Sequence, residues 1–395
     1  MIKMYFIFLF SLIFSYSHSQ DKFTLSEGFT TQKSYFSEIH YISVRDKIII
    51  KASINGKNYR FILDTGAPTM ITRKVFNELN LAILKKISIN DANDKKDSLS
   101  IVNLNKVVLG DIIFNDVPAL IAEDAFIFDC HQVDGFIGSN MLRNTIIKFL
   151  AKDQKLIITD DGIKLSLNKK YASNLFLTPS QSSPFFKLKV KGKDTGSIEL
   201  LFDTGMEGMF DLSLKHYAVL EKEKIFDELA VSSGLGPLGL FGSGNSTAQY
   251  LLRVPELNIN GTIFRNVSIQ TTSNSNSRIG VELLKYGTVT LDYKNKKFYF
   301  EPFNNTIDLL RMHFPISFTI KNNKTIVAIV WDSNLNREVS PGDELIAVND
   351  VNYRDIDPCD LLIKPQIFEG KTQAILTLKN SDGVIKKISI SKSIQ

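Results

Sequence analysis

The sequence predicts a mainly β protein: two copies of one β lobe related by pseudo-two-fold symmetry, followed by a smaller α+β domain. Three observations carry this. The triplet Asp64-Thr65-Gly66 closes the apolar run Phe61-Ile62-Leu63, and the arrangement returns at Leu200-Leu201-Phe202-Asp203-Thr204-Gly205, 203 − 64 = 139 residues later. The segments flanking the two triplets repeat in the same order. After about residue 310 the pattern changes to a compact stretch with no counterpart in either copy.

Taken from the N-terminus, Lys3, the apolar run Met4 to Phe14 and the ending Ser17-His18-Ser19 form the charged, apolar and small-residue series of a secretory signal peptide over 1–19. The run is too short to span a membrane comfortably, and no other segment reads as transmembrane. A secreted or periplasmic protein is therefore expected. Residues 20–44 are polar with scattered aromatics (Phe23, Phe29, Tyr35, Phe36, Tyr41) and fit either a propeptide over a cleft or a strand completing the first lobe.

The first lobe is expected over 45–165. Ile48 to Ile54, the turn Asn55-Gly56 and Tyr59 to Leu63 form a hairpin leading into the first triplet. A polar arm follows at 86–100, then the strand Ile112 to Val117, the segment Phe136-Ile137-Gly138, a short helix at Met141-Leu142 and two strands about a basic turn. The second lobe, 180–302, repeats this: Phe185 to Val190, Ile198 to Phe202, a glycine-rich arm, Thr262 to Val267, then Arg278-Ile279-Gly280. From the glycines the match is ungapped at 280 − 138 = 142, through Met141-Leu142 against Leu283-Leu284, Lys152 against Lys294 and Lys155 against Lys297. Ordered matches whose offsets change only across loops indicate duplication. A third triplet, Asp194-Thr195-Gly196, follows Lys191-Gly192-Lys193 rather than an apolar strand and reads as a solvated hairpin turn.

Duplication bears on chemistry because a two-fold relation sets equivalent side chains face to face. Two close carboxylates cannot both ionise readily; they share a proton, and one can act as base while the other acts as acid. Asp64 and Asp203 are the candidates for such a pair.

Each copy resembles a retropepsin-type aspartic protease unit, with its hairpin, Asp-Thr-Gly loop, second hairpin or flap, and apolar-apolar-Gly segment before a short helix. Two fused units resemble the bilobal, pepsin-like arrangement, and the likeness covers roughly residues 45 to 302. The resemblance implies two retropepsin-like closed β lobes and hydrolysis of peptide bonds by water activated between Asp64 and Asp203. It implies that Thr65 and Thr204 hydrogen-bond across the lobe interface. It further implies that Gly66 and Gly205 let the backbones approach, and that Gly138 and Gly280 lie beneath the loops. Three positions depart from the pattern: Met206 after the second triplet, Arg278 where an apolar residue is usual, and the lack of a tyrosine in the arm 86–100. A cation at Arg278 would favour an ionised carboxylate nearby.

Composition fits a large protein with cores of its own: 395 residues, 44% hydrophobic. Loss of 1–19 removes only Lys3 from the cations, leaving 46 − 42 = +4 with no focused basic run, which argues against nucleic acid as partner. The two cysteines, Cys130 and Cys359, fall in different expected domains, and two separate thiols are preferred over one interdomain disulfide. None of the five histidines has a spacing with Cys, Asp or Glu that suggests a metal site, and nothing calls for a cofactor. His131 beside Cys130 is read as a neighbour, not as a nucleophile's base.

Residues 303 to about 310 read as a linker, and 310–395 as a separate domain. Ser340-Pro341-Gly342-Asp343-Glu344-Leu345-Ile346-Ala347-Val348-Asn349 resembles the Gly-Asp turn and buried strand of PDZ domains, which bind extended peptides by strand addition. The corresponding carboxylate loop, Met312 to Ile316, lacks glycines and contains Pro315, so peptide binding and simple packing on the lobes both remain open. The domain is not required to touch the carboxylates, so its removal is expected to spare cleavage of short peptides. Two function classes compete: an aspartic endopeptidase acting on polypeptides, and a catalytically inactive peptide-binding protein retaining the fold. Intact Asp and Thr at both triplets favour the first.

Overall fold

In the computed structural model residues 24–123 and 126–393 are described, so the expected signal peptide lies outside them. The protein is mainly β. No helix among the described residues is long and apolar enough to cross a membrane.

The first eight-stranded sheet runs, in spatial order, Ile42–Val44, Lys47–Ile54, Lys57–Asp64, Gly135–Gly138, Met70–Thr72, Ile112–Ala122, Lys96–Leu109 and Lys85–Asn90. From the second of these onward the same order recurs in the second half of the chain: Pro184–Lys191, Thr195–Asp203, Arg278–Gly280, Phe210–Ser213, Thr262–Thr272, Ser246–Ile259 and Asp227–Leu235. Each sheet curls until its second and seventh strands, and their counterparts, also pair: Ile54 meets Val107, and Val190 meets Leu257. Alternating apolar residues line the inside of each curl, as period-two strands require.

Between the halves lies a run of six strands: Phe36–His40, Lys155–Thr159, Ile146–Leu150, Gly287–Asp292, Lys297–Pro302 and Ala172–Leu177. Its centre is the antiparallel pair Lys148 with Thr290. Aromatic packing seals this run to the second triplet's strand. Phe186 stacks on Phe298 at 3.9 Å, and Phe202 meets Phe149 edge-on at 5.9 Å. Ahead of the first lobe, Leu25 N donates to Ser180 O (2.6 Å) and Leu25 O accepts from Asn140 Nδ2 (3.2 Å). Segment 24–44 is thus woven into both halves by hydrogen bonds and by two strands.

The stretch 303–310 is not a free linker. Thr306–Asp308 is a strand parallel to Thr262–Thr272, because Ile307 and Leu309 alternate and turn one apolar face inward. A separate six-stranded sheet follows: Ile316–Lys321, Lys324–Val330, Glu344–Val348, Gln373–Lys379 and Ile385–Ser391, with Val351–Asn352 paired to the third. It has its own apolar cluster around Val327, Leu345 and Leu376.

One expectation about this tail is corrected. Cys130 and Cys359 form a disulfide, since the short helices Phe126–His131 and Asp360–Ile363 pack together and bring their Cα atoms to 4.8 Å. Bonded in this way, Cys130 is no nucleophile for His131. The tail, with a core of its own, also packs on the second half. Ala328, Ile329 and Trp331 form one apolar cluster with Leu229, Ala230 and Leu251 of the second half, and Ser232 Oγ donates to Val330 O (2.6 Å).

Candidate active site

Strand Lys57–Asp64 ends with Phe61, Ile62 and Leu63 fully buried, so the chain must turn at the surface of its own core. Asp64 makes that turn: its Oδ1 accepts from Gly66 N (2.9 Å) and Ala67 N (3.0 Å). Asp203 Oδ1 likewise accepts from Gly205 N (2.9 Å), but Met206 N goes to the Asp203 main-chain carbonyl instead. Beneath each loop a parallel partner runs in the same register, Gly138 beside Asp64 and Gly280 beside Asp203. A side chain at either glycine would drive into loop backbone, within 2.5 Å of Thr69 N or 2.7 Å of Met206 O.

The two loops are interlocked. Thr65 N donates to Thr204 Oγ1 and Thr204 N to Thr65 Oγ1, both at 3.0 Å. Each hydroxyl in turn donates to the opposite strand, Thr65 Oγ1 to Phe202 O (2.6 Å) and Thr204 Oγ1 to Leu63 O (2.7 Å). All four groups are buried, where an unpaired amide or carbonyl would be costly. The glycines permit the approach: a Cβ on Gly66 would lie 2.6 Å from Asp203 Cγ, and one on Gly205 2.6 Å from Asp64 Cγ. The structure therefore brings Asp64, Thr65, Gly66, Asp203, Thr204 and Gly205 into one site, with Gly138 and Gly280 supporting it from below. The Asp194 triplet lies elsewhere, at the turn joining Pro184–Lys191 to Thr195–Asp203.

The carboxyls are unequal. Burial first, and the charge of Asp203 second, push Asp64 up to about 7, against the opposing pull of Lys47 and the two amides. Asp203 meets a guanidinium: Arg278 Nη1 donates to Asp203 Oδ2 (3.3 Å), while Arg278 Nε donates to Asp211 Oδ2 (3.0 Å) and Nη2 closes a second bond to Asp211. Burial works against the charge of Arg278, but Asp211 and then Asp203 outweigh it and keep the guanidinium ionised. Burial raises Asp211, and Arg278 opposes that rise.

Four side chains of the site have no role in the sequence reading. Lys47 donates to Gly205 O. Ser139 Oγ donates to Thr65 O and bonds Tyr293 OH, both at 2.7 Å, tying the first loop to the second half. Asp211 had a readable signal. Met70 opposes Phe136 in the first half where Asp211 opposes Arg278 in the second, so a charged pair replaces an apolar one. Lys47, Ser139 and Tyr293 carry no such mark.

The long hairpins of the two halves meet at their tips. Asn93 Nδ2 donates to Pro237 O (2.8 Å) and Gly242 O (3.2 Å), and Asp91 Oδ2 accepts from Phe241 N (3.0 Å). Leu240 and Phe241 join the first half's apolar cluster beside Ile87, Ile89 and Phe136. The glycine-rich segment thus forms a folded tip, with the small hairpin Leu238–Gly239 and Gly242–Ser243.

Residues 50–141 match a family model described as aspartyl protease. This stretch is similar to an aspartyl protease. It contains Asp64, Thr65, Gly66 and Gly138; Asp203 lies outside it. Among solved structures, a retropepsin-like aspartic protease from Rickettsia conorii is 22% identical, with 33% of this chain and 96% of that one covered, at a TM-score of 0.25. Among curated proteins no relative matches.

Proposed function

We propose that the protein is an aspartic endopeptidase, secreted or periplasmic, that hydrolyses peptide bonds with water activated between Asp64 and Asp203. One observation carries this reading: the reciprocal bonds of Thr65 and Thr204, with Gly66 and Gly205 against the opposite carboxyls, set a half-buried Asp64 and a buried Asp203 in one site. In the proposed cycle one carboxylate takes a proton from water as its oxygen attacks the scissile carbonyl carbon, and the other carboxyl protonates the carbonyl oxygen. Collapse of the tetrahedral intermediate breaks the C–N bond, and the amine leaves with a proton from the pair. The sum is one peptide bond and one water consumed for one acid and one amine.

A pseudo-two-fold relation between two lobes is supported by their shared strand order. It is supported also by the central pair of the six-strand run between the halves, where 148 + 142 = 290 makes Lys148 and Thr290 equivalent partners. In this reading the tail is a PDZ-like domain. Its support is Gly342 at φ +102°, Asp343 Oδ2 accepting from Ser340 N (3.0 Å), and the strand Glu344–Val348 that follows. Strand Ile316–Lys321 is an edge of its sheet, where an extended substrate or partner peptide would add.

The test is cleavage of unstructured peptides by the protein from residue 20 onward, beside Asp64→Asn and Asp203→Asn. Each variant should retain cooperative thermal unfolding and lose at least about 10²-fold in kcat/KM. Peptide binding without cleavage by the unaltered protein would replace the peptidase with a peptide-binding protein.

A further inference from the structure

We infer that Arg278, locked to Asp211, is a positioning residue that places the negative charge of the carboxyl pair on Asp203 and the proton on Asp64. The inference rests on the peptidase reading and deepens it: the two halves divide base and acid between them before substrate arrives.

The first support is the contrast between the halves. Phe136 and Arg278 stand at equivalent positions, 278 − 136 = 142, and each faces a partner across the strand pair that supports its loop. In the first half that partner is Met70; in the second it is Asp211. The second half thus hydrogen-bonds a guanidinium to its carboxyl; the first half's Lys47 also pulls its carboxyl down, but its hydrogen bond goes to Gly205 O.

The second is geometry. Arg278 and Asp203 have side chains only 11% and 8% exposed, so neither charge is satisfied by water. Arginine does not lose its proton in a protein, so a guanidinium here demands acceptors. Asp211 takes Nε and Nη2, which leaves Nη1 directed at Asp203 Oδ2. Asp64 Oδ1 accepts from two main-chain amides and Asp203 Oδ1 from one, so the guanidinium is what distinguishes Asp203.

The other charged groups near this cluster do not reverse the assignment. Lys47 bonds Gly205 O and lies 3.6 Å from Glu207, which Arg45 also approaches at 3.5 Å. His216 bonds Ser277 Oγ at 2.7 Å, next to Arg278 in sequence; burial first, then Lys215, lower it and favour its neutral form. Asp203 is then the base that takes the proton of water, and Asp64 the acid that gives one to the carbonyl oxygen.

The test joins Arg278→Phe to Asp211→Met, which installs the first half's own pair and removes both members of the Arg278–Asp211 ion pair. Removing a cation from beside a carboxylate favours its protonated form, so the acidic limb of kcat/KM should move to higher pH, by about one unit or more. Arg278→Lys, which keeps the charge, should hold the limb near its original place. Carboxyl carbon NMR of the aspartates reads the same point without turnover. In the unaltered protein the proton lost near neutral pH should come from Asp64, and in the double variant that titration should divide between Asp64 and Asp203. A folded double variant with an unmoved acidic limb would overturn the inference and leave the peptidase reading intact. If the unaltered protein cleaves nothing, the peptidase reading falls and the NMR titration still decides the charge. If the double variant does not fold, the titration of the unaltered protein decides alone. In either case equal sharing between the carboxyls overturns the role given to Arg278.

Discussion

Thr65 and Thr204 each accept a hydrogen bond from the opposite amide and donate one to the opposite strand, so a single hydroxyl satisfies two buried main-chain groups. Thr204→Val keeps the shape and removes the hydroxyl, leaving Thr65 N and Leu63 O unpaired. Denaturant unfolding should show a loss of roughly 1–3 kcal/mol, with kcat falling as the loops loosen. Asp64 makes a second prediction, about pH. Its folded value is raised from 3.8 to about 7, so the folded state holds a proton that the unfolded chain has released. The stability linked to Asp64 is fully present below about 3.8 and is lost as pH rises to about 7. Asp64→Asn should flatten the pH dependence of unfolding free energy across that window, and the variant should be the more stable protein at pH 8. A slope unchanged by the substitution would contradict the raised value. At this scale Asp64 and Asp203 are legible because their motif occurs twice. Lys47 is not, because an isolated charge in a strand carries no mark of what lies across from it.

At the scale of elements, the hairpin tips show how far local pattern reaches. The polar run at 86–100 reads correctly as a hairpin, since Lys85–Asn90 pairs with Lys96–Leu109 around a polar turn. Nothing in it announces that Asn93 and Asp91 clasp the glycine-rich tip from the second half. Asn93→Ala removes two of those hydrogen bonds. Amide exchange across 237–244 should quicken by about tenfold or more, at roughly 1 kcal/mol per bond, while exchange in the strand Lys57–Asp64 stays slow. The glycine beneath the first loop gives a sharper test. At Gly138 an added methyl meets backbone of the loop itself, which cannot swing aside as a side chain would. Gly138→Ala should cost about 1–3 kcal/mol, measured by thermal unfolding, and should reduce cleavage by displacing Asp64. The linker reading at 303–310 fails for the same kind of reason. Two alternating apolar residues are too short a signal until a strand of the second half is there to receive them.

For the whole molecule, the tail is fastened at two places. The Cys130–Cys359 disulfide ties it to the first half, and Ala328, Ile329 and Trp331 pack on the second half's hairpin. Removing residues 310–395 would expose that hairpin's apolar face, so cleavage of short peptides and of proteins should fall together. Loss confined to protein substrates would instead mark the tail as a recruiting module alone. Cys359→Ser should lower unfolding stability by about 2–4 kcal/mol, and reductant should lower the melting temperature of the unaltered protein but not of this variant.

The sequence by itself determined the ordered repeat of motifs, the strand-rich character, the two triplets and the glycines that follow them. These depend on local period and on repetition, both of which survive without coordinates. Tertiary structure alone decided which cysteines bond, where the tail docks, how the hairpin tips close and why Arg278 is tolerated beside a carboxyl. Each of these is a contact between residues far apart in the chain, set by how sheets curl and pack. The side chains involved show no spacing of their own until the fold brings them together.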